Sequence, residues 1–106
     1  MFPSAAEITL LHNSICQALS EPRRILILYA LHERPTHVTA LAEQLDIPQP
    51  TVSRHLRVLR QQGLVQTERQ GAAVLYTLTE PRLIEVLDLM RDIMRDTLAH
   101  KMSVVA

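Results

Sequence analysis

Apolar residues at the start of the chain recur every three or four positions. Ile8, Leu11, Ile15 and Leu19 share one helical face, which predicts a first helix over about 6–19. Ser20 reads as an N-cap, with Glu21 and Pro22 in the first turn of a second helix, where a missing N–H is harmless. That second helix, about 21–32, is apolar almost all round (Ile25, Leu26, Ile27, Leu28, Leu31), the pattern of a central buried helix, and Glu33-Arg34-Pro35 ends it. A short third helix over 39–45 turns Leu41, Ala42 and Leu45 inward, and Asp46-Ile47-Pro48 connects it tightly to a fourth over about 49–62. Val52, Leu56 and Leu59 form the apolar stripe of the fourth helix, and Gly63 supplies a left-handed residue to end it.

The period then changes. Segments 64–68 and 73–78 are rich in β-formers, and Arg69-Gln70-Gly71-Ala72 supplies a turn between them, so a hairpin is predicted. Thr79-Glu80-Pro81 opens a last helix whose stripe of Leu83, Val86, Leu87, Met90, Ile93 and Met94 runs towards about His100, with Val104-Val105-Ala106 as a frayed end. The order is α, α, α, α, β, β, α in a single domain, 1–106: mainly helical with a small β-hairpin, the arrangement of a winged helix-turn-helix. The stripe of the fourth helix fixes it to the domain and leaves a polar face narrow enough for a major groove. The long stripe of the last helix exceeds what so small a domain covers alone, which predicts a homodimer through the first and last helices.

Charge sharpens this picture. The 106 residues carry 11 basic and 11 acidic side chains, a balance that at first argues against nucleic acid. The balance hides a segregation: residues 48–79 hold Arg54, Arg57, Arg60 and Arg69 against Glu68 alone, net +3, while the flanking segments are net negative. A local patch matters more for phosphate binding than the total. Gln49, Thr51, Ser53, Arg54 and Arg57 on the fourth helix and Arg69 on the hairpin are therefore the candidate contacts to double-stranded DNA.

Other chemistry is sparse. The longest apolar run, from Ile25 to Leu31, is far too short to cross a bilayer, and no basic-then-apolar leader opens the chain. A cytoplasmic protein without a membrane partner is expected. A lone cysteine, Cys16, rules out an intramolecular disulfide and a Cys-pair zinc site. His12 lies four positions before it, on the same helix face, as two metal ligands would, while the competing reading makes Cys16 a small apolar filler beside Ile15 and Leu19. His55 is expected to pack against the stripe and bond to backbone, and His32 and His37 to be solvated. With only Gly63 and Gly71, the chain has no Gly-rich phosphate loop, and no catalytic set emerges, so neither enzyme chemistry nor a cofactor is expected. Two functions stay open: a sequence-specific DNA-binding repressor, and a protein-interaction module that keeps the winged-helix fold without DNA binding.

Four motifs carry a family resemblance. Ala18-Leu19-Ser20-Glu21-Pro22-Arg23-Arg24-Ile25-Leu26, Thr51-Val52-Ser53-Arg54-His55-Leu56-Arg57-Val58-Leu59, Gly63-Leu64-Val65, and Gly71 with Tyr76-Thr77-Leu78 together resemble the ArsR/SmtB family of bacterial repressors. The resemblance implies a homodimeric winged-helix regulator of an inverted-repeat operator, released by an effector that is often a metal ion. The departures are specific. Pro48 stands where the family usually caps the recognition helix with Ser, and Gly71-Ala72 where the wing commonly has Gly-Arg, leaving Arg69 as the wing contact. The family's Cys-Val-Cys-Asp-Leu metal motif reads His37-Val38-Thr39-Ala40-Leu41. Its last-helix ligand positions read Glu80, Arg82, Ile93 and Asp96. Neither familiar metal site is expected; what remains is a regulator tuned by its own abundance, or release by an unidentified effector acting through the Cys16 thiol or a soft metal held with His12.

Overall fold

The computed structural model describes residues 1–105. Its first helix comes in two pieces. In α1 (Ala5–Leu11), the Ser4 hydroxyl accepts from the backbone N–H of Glu7 at 3.1 Å. The chain then widens into a π-helical turn over His12–Cys16, which interrupts the continuous α-helix expected over 6–19. Ser14 donates its hydroxyl back to the Leu10 carbonyl at 2.6 Å, the kind of contact that competes with the regular ladder and bends helices. Ser20 also departs from expectation. Its hydroxyl donates to the Gln17 carbonyl and closes the preceding helix, while Glu21 caps α2 (Pro22–Glu33) by accepting from Arg23 N–H at 3.3 Å.

The core forms around α2, α3 (Val38–Leu45) and α4 (Gln49–Gln61). Ala18, Ile27, Leu28, Leu41, Val52 and Leu59 are sealed from solvent, and Leu64, Val65, Leu83, Ile84 and Leu87 close the cluster. α2 is less central than its composition suggests, because Leu26 stays half exposed on its outer side. Between α3 and α4 the chain reverses through Asp46 at φ 53°, a left-handed position that short polar side chains tolerate. Ile47 then drops into the core. After α4, Gly63 at φ 74° turns the chain, and Leu64 N–H reaches back to the Leu59 carbonyl at 3.0 Å.

The expected hairpin is part of a three-stranded antiparallel sheet, ordered β1 (Thr36–His37), β3 (Ala73–Leu78), β2 (Val65–Gln70). Arg69 and Gln70 belong to β2, opposite Val74 and Ala73, so the turn shrinks to Gly71-Ala72. Gly71 lies at φ 61° and Ala72 has no positive φ, the glycine-first pattern of a type II′ connection. β1 was not anticipated. It makes His37 half-buried rather than solvated, with its Nδ1 donating to the Val74 carbonyl at 2.9 Å.

α5 (Arg82–Val105) starts just after Pro81 and stays helical through the segment expected to fray; Ala106 lies outside the described residues. Tyr29 ties α2 to α5 by donating its hydroxyl to Asp88 at 2.6 Å, with the Arg91 guanidinium 5.3 Å from its ring centre. Beyond Leu87 the stripe of α5 leaves the core, and α1 has no buried residue at all. Among the described residues, no helix is long and apolar enough to cross a membrane.

Candidate nucleic-acid interface

α4 presents its two faces as the helical period requires. Val52, Leu56 and Leu59 are fully buried on one side, and Arg54, Arg57 and Gln61 lie opposite them in solvent. Gln49 is exposed at the first position, while Thr51 and Ser53 are half-buried. The helix begins at Pro48 without a side-chain cap, and Pro50 brings no N–H to its first turn. The missing cap expected from Pro48 is therefore real, and the helix forms regardless, because prolines are tolerated in a first turn. Thr51 and Val52 N–H both reach the Pro48 carbonyl, at 3.0 and 3.1 Å.

The basic side chains of this face are available to an anion. Arg54 donates to Thr51 Oγ1 at 3.2 Å, which presents both groups together at the start of the helix. The ion pairs among the described residues are Arg82–Glu80, Arg91–Asp88 and Arg95–Asp92, so no carboxylate neutralises Arg54, Arg57, Arg60 or Arg69. Arg57 and Arg60 line a shallow depression of about 340 Å³ with Gln61. Arg60, three residues after Arg57, is exposed and adds a further positive charge beside the candidate contacts. Arg69 is exposed near the end of β2, one pair before the Gln70–Ala73 pair that closes the hairpin.

The remaining candidates disperse. His55 bonds to no backbone group; its Nδ1 lies 3.4 Å from Arg24 Nη1. Burial, and then the positive charge of Arg24, hold its pKa below the usual 6.5. Cys16 is exposed in the π-helical turn, which removes the apolar-filler reading within one chain, and His12 Nδ1 is engaged with Asn13 Oδ1 at 3.1 Å. Among the described residues, no three His, Cys, Asp or Glu side chains gather as metal ligands. At the last-helix positions, Glu80 is held instead by Arg82, at 2.7 Å from Nε and 2.9 Å from Nη2. That pairing pulls its pKa down to about 2. A carboxylate committed to a guanidinium, with Ile93 offering no donor atom, does not fit a tetrahedral metal.

A helix-turn-helix with an exposed basic second helix, followed by a hairpin that brings another Arg, is a winged helix-turn-helix of the DNA-binding type. The sequence profile of the bacterial regulatory proteins of the ArsR family matches residues 21–67. The chain is 43% identical to the transcriptional regulator NmtR of Mycobacterium tuberculosis over 75 residues, which cover 71% of this chain and 62% of that protein. It thus spans about three-fifths of that relative's length. The crystal structure of Rv0081 from M. tuberculosis superposes with a TM-score of 0.81 at 29% identity, covering 92% of this chain and 98% of that one. The homodimeric winged helix-turn-helix domain of Mb0332 from Mycobacterium bovis does so with a TM-score of 0.76 at 26% identity, covering 92% and 93%. The chain belongs to the ArsR family.

Proposed function

We propose that this protein is a dimeric, sequence-specific transcriptional repressor that binds an inverted-repeat operator and has no catalytic role. The observation that carries the reading is the polarity of α4. It is anchored by three fully buried side chains and presents Arg54 and Arg57 without a neutralising carboxylate. Gln49, Thr51 and Ser53 supply polar contacts around its first turns, and Arg69 meets phosphate or the minor groove from the wing. A protein-interaction module would not require this unpaired positive face. The wing lacks the family's second basic residue, so α4 carries most of the affinity. Such a protein acts in the cytoplasm, where its DNA lies.

Zinc, nickel and cadmium are not the expected signal, because Arg82 and Ile93 stand at two of the last-helix ligand positions and Thr39 at a thiolate position of the third helix. The candidates left are Cys16, exposed and open to soft electrophiles, and His12, four positions before it. The test begins with selection of duplexes from a random-sequence pool by the purified protein. Recovery of a palindromic site bound at nanomolar concentration is the expected result; recovery of no common sequence overturns the reading. The same complex, challenged with zinc, nickel or cadmium, is expected to persist. Release by arsenite or a mild oxidant in the wild type but not in Cys16→Ser assigns the signal to the thiol.

A further inference from the structure

Arg24 makes more polar contacts than any other side chain described above, and none of them belongs to the groove face of α4 or to the wing. Its Nε donates to the Ala18 carbonyl at 2.7 Å and its Nη2 to the Gln17 carbonyl at 3.1 Å, with Ser20 Oγ 3.4 Å away. These groups form the C-terminal end of the first helical segment, where backbone carbonyls run out of intrahelical donors and a cation is favoured. Its remaining nitrogen, Nη1, lies 3.4 Å from Nδ1 of His55, in the middle of α4. One guanidinium, carried by α2, thus bridges the end of the first helical segment and α4, whose His55 lies 31 residues beyond Arg24. Arginine suits this place because its planar fork donates in several directions at once, which a lysine ammonium on a flexible stem does not reproduce. Since arginine only donates, His55 Nδ1 must be the acceptor and therefore unprotonated.

The two joined elements have different tasks under the proposed function. The first helix carries exposed Ile8, Leu10 and Leu11 and belongs to the dimer contact; α4 reads DNA. We propose that Arg24 is a positioning residue, fixing α4 against the end of the first helix and so setting the separation of the two recognition helices in the dimer. The proposal rests on the DNA-binding reading above. A single half-site needs only one correctly folded α4, whereas a palindrome needs two α4 helices held about 34 Å apart. Loss of Arg24 or of its acceptor on α4 therefore penalises the palindrome selectively.

The experiment compares three DNAs: the palindromic duplex that the wild type selects, the same duplex reduced to one half-site, and palindromes lengthened or shortened by one base pair. The variants are Arg24→Lys, which keeps the charge, His55→Leu, which removes the acceptor, and His55→Gln, whose amide oxygen can replace it. Thermal melting identifies the folded variants. Arg24→Lys and His55→Leu are expected to lose about tenfold of the palindrome-to-half-site affinity ratio and to blunt the spacing preference, a coupling of ordinary size for directly bonded groups. Half-site affinity and its salt dependence stay at wild-type values, and His55→Gln retains the ratio. A folded His55→Leu with the wild-type ratio overturns the proposal. So does an equal loss on palindrome and half-site, which makes the contact a general structural or DNA contact. A wild type that prefers no palindrome overturns the DNA-binding reading itself.

Discussion

His55 is an imidazole constrained by burial and by the charges around it. It is half-buried on α4, with Arg24 against its Nδ1 and Glu21, Arg23 and Arg54 acting on it through their charges. Burial and the surrounding guanidinium charge push its pKa below 6.5, and Glu21 offsets only part of that. The unfolded chain takes up this proton near pH 6.5; the folded chain resists until lower pH. The unfolded state binds more protons in that window, so stability rises with pH. The contribution is complete above pH 6.5 and is lost as pH falls through and below it. The urea midpoint of the wild type is therefore expected to drop on mild acidification, and that of His55→Gln to drop less. Identical pH profiles for the two proteins would remove His55 from the account. Glu80 makes no such demand near neutrality, since its pairing with Arg82 keeps it ionised down to about pH 2.

At the scale of the element, α4 gives the most direct prediction. Arg54 and Arg57 are exposed and carry no ion pair among the described residues. Each is expected to displace counterions from one phosphate. Alanine at either position should weaken binding and flatten the dependence of log affinity on log salt by about one unit. Measured slopes equal to wild type in both variants would mean that another surface meets the DNA. α4 was legible in the sequence because thirteen residues allow a full amphipathic pattern to develop, with Val52, Leu56 and Leu59 marking one side unambiguously. β1 was not, because two residues cannot show an alternation and Thr36-His37 finds its partners, Tyr76 and Leu75, only after the chain folds back. The π-helical turn escaped for a different reason: four apolar residues at helical spacing describe an intended face, and the Ser14 contact that loosens the ladder leaves that spacing untouched. The candidate groove residues could be placed on their helix from period alone. The contact of Arg24 with His55 could not, since no local pattern links positions 31 residues apart.

The whole molecule is too extended for a self-sufficient domain. Its radius of gyration is 16.4 Å, against about 13 Å for a compact chain of this length. The excess comes from α1, which buries none of its residues, and from the distal part of α5, a helix of 24 residues. On α5, Leu89, Met90, Ile93, Met94, Leu98 and Met102 all keep half or more of their surface in solvent. Apolar stripes of this length on two helices mark an association surface rather than a tolerated surface composition. Ile93 separates the possibilities well because it is 56% exposed in the single chain. If the chain works alone, Ile93→Glu is a surface change that alters stability by no more than about 0.5 kcal/mol. If α5 packs against a second copy, the same carboxylate is carried into an apolar contact without a counter-charge, at a cost that a marginal dimer does not survive. Sedimentation is therefore expected to show two-chain particles for the wild type and single chains for Ile93→Glu. The wild-type melting temperature should rise with protein concentration, and palindrome binding should fall with dimerisation while half-site contacts on α4 stay intact. A wild type that sediments as one chain at micromolar concentration, or an Ile93→Glu variant that remains paired, would place the contact elsewhere on the molecule.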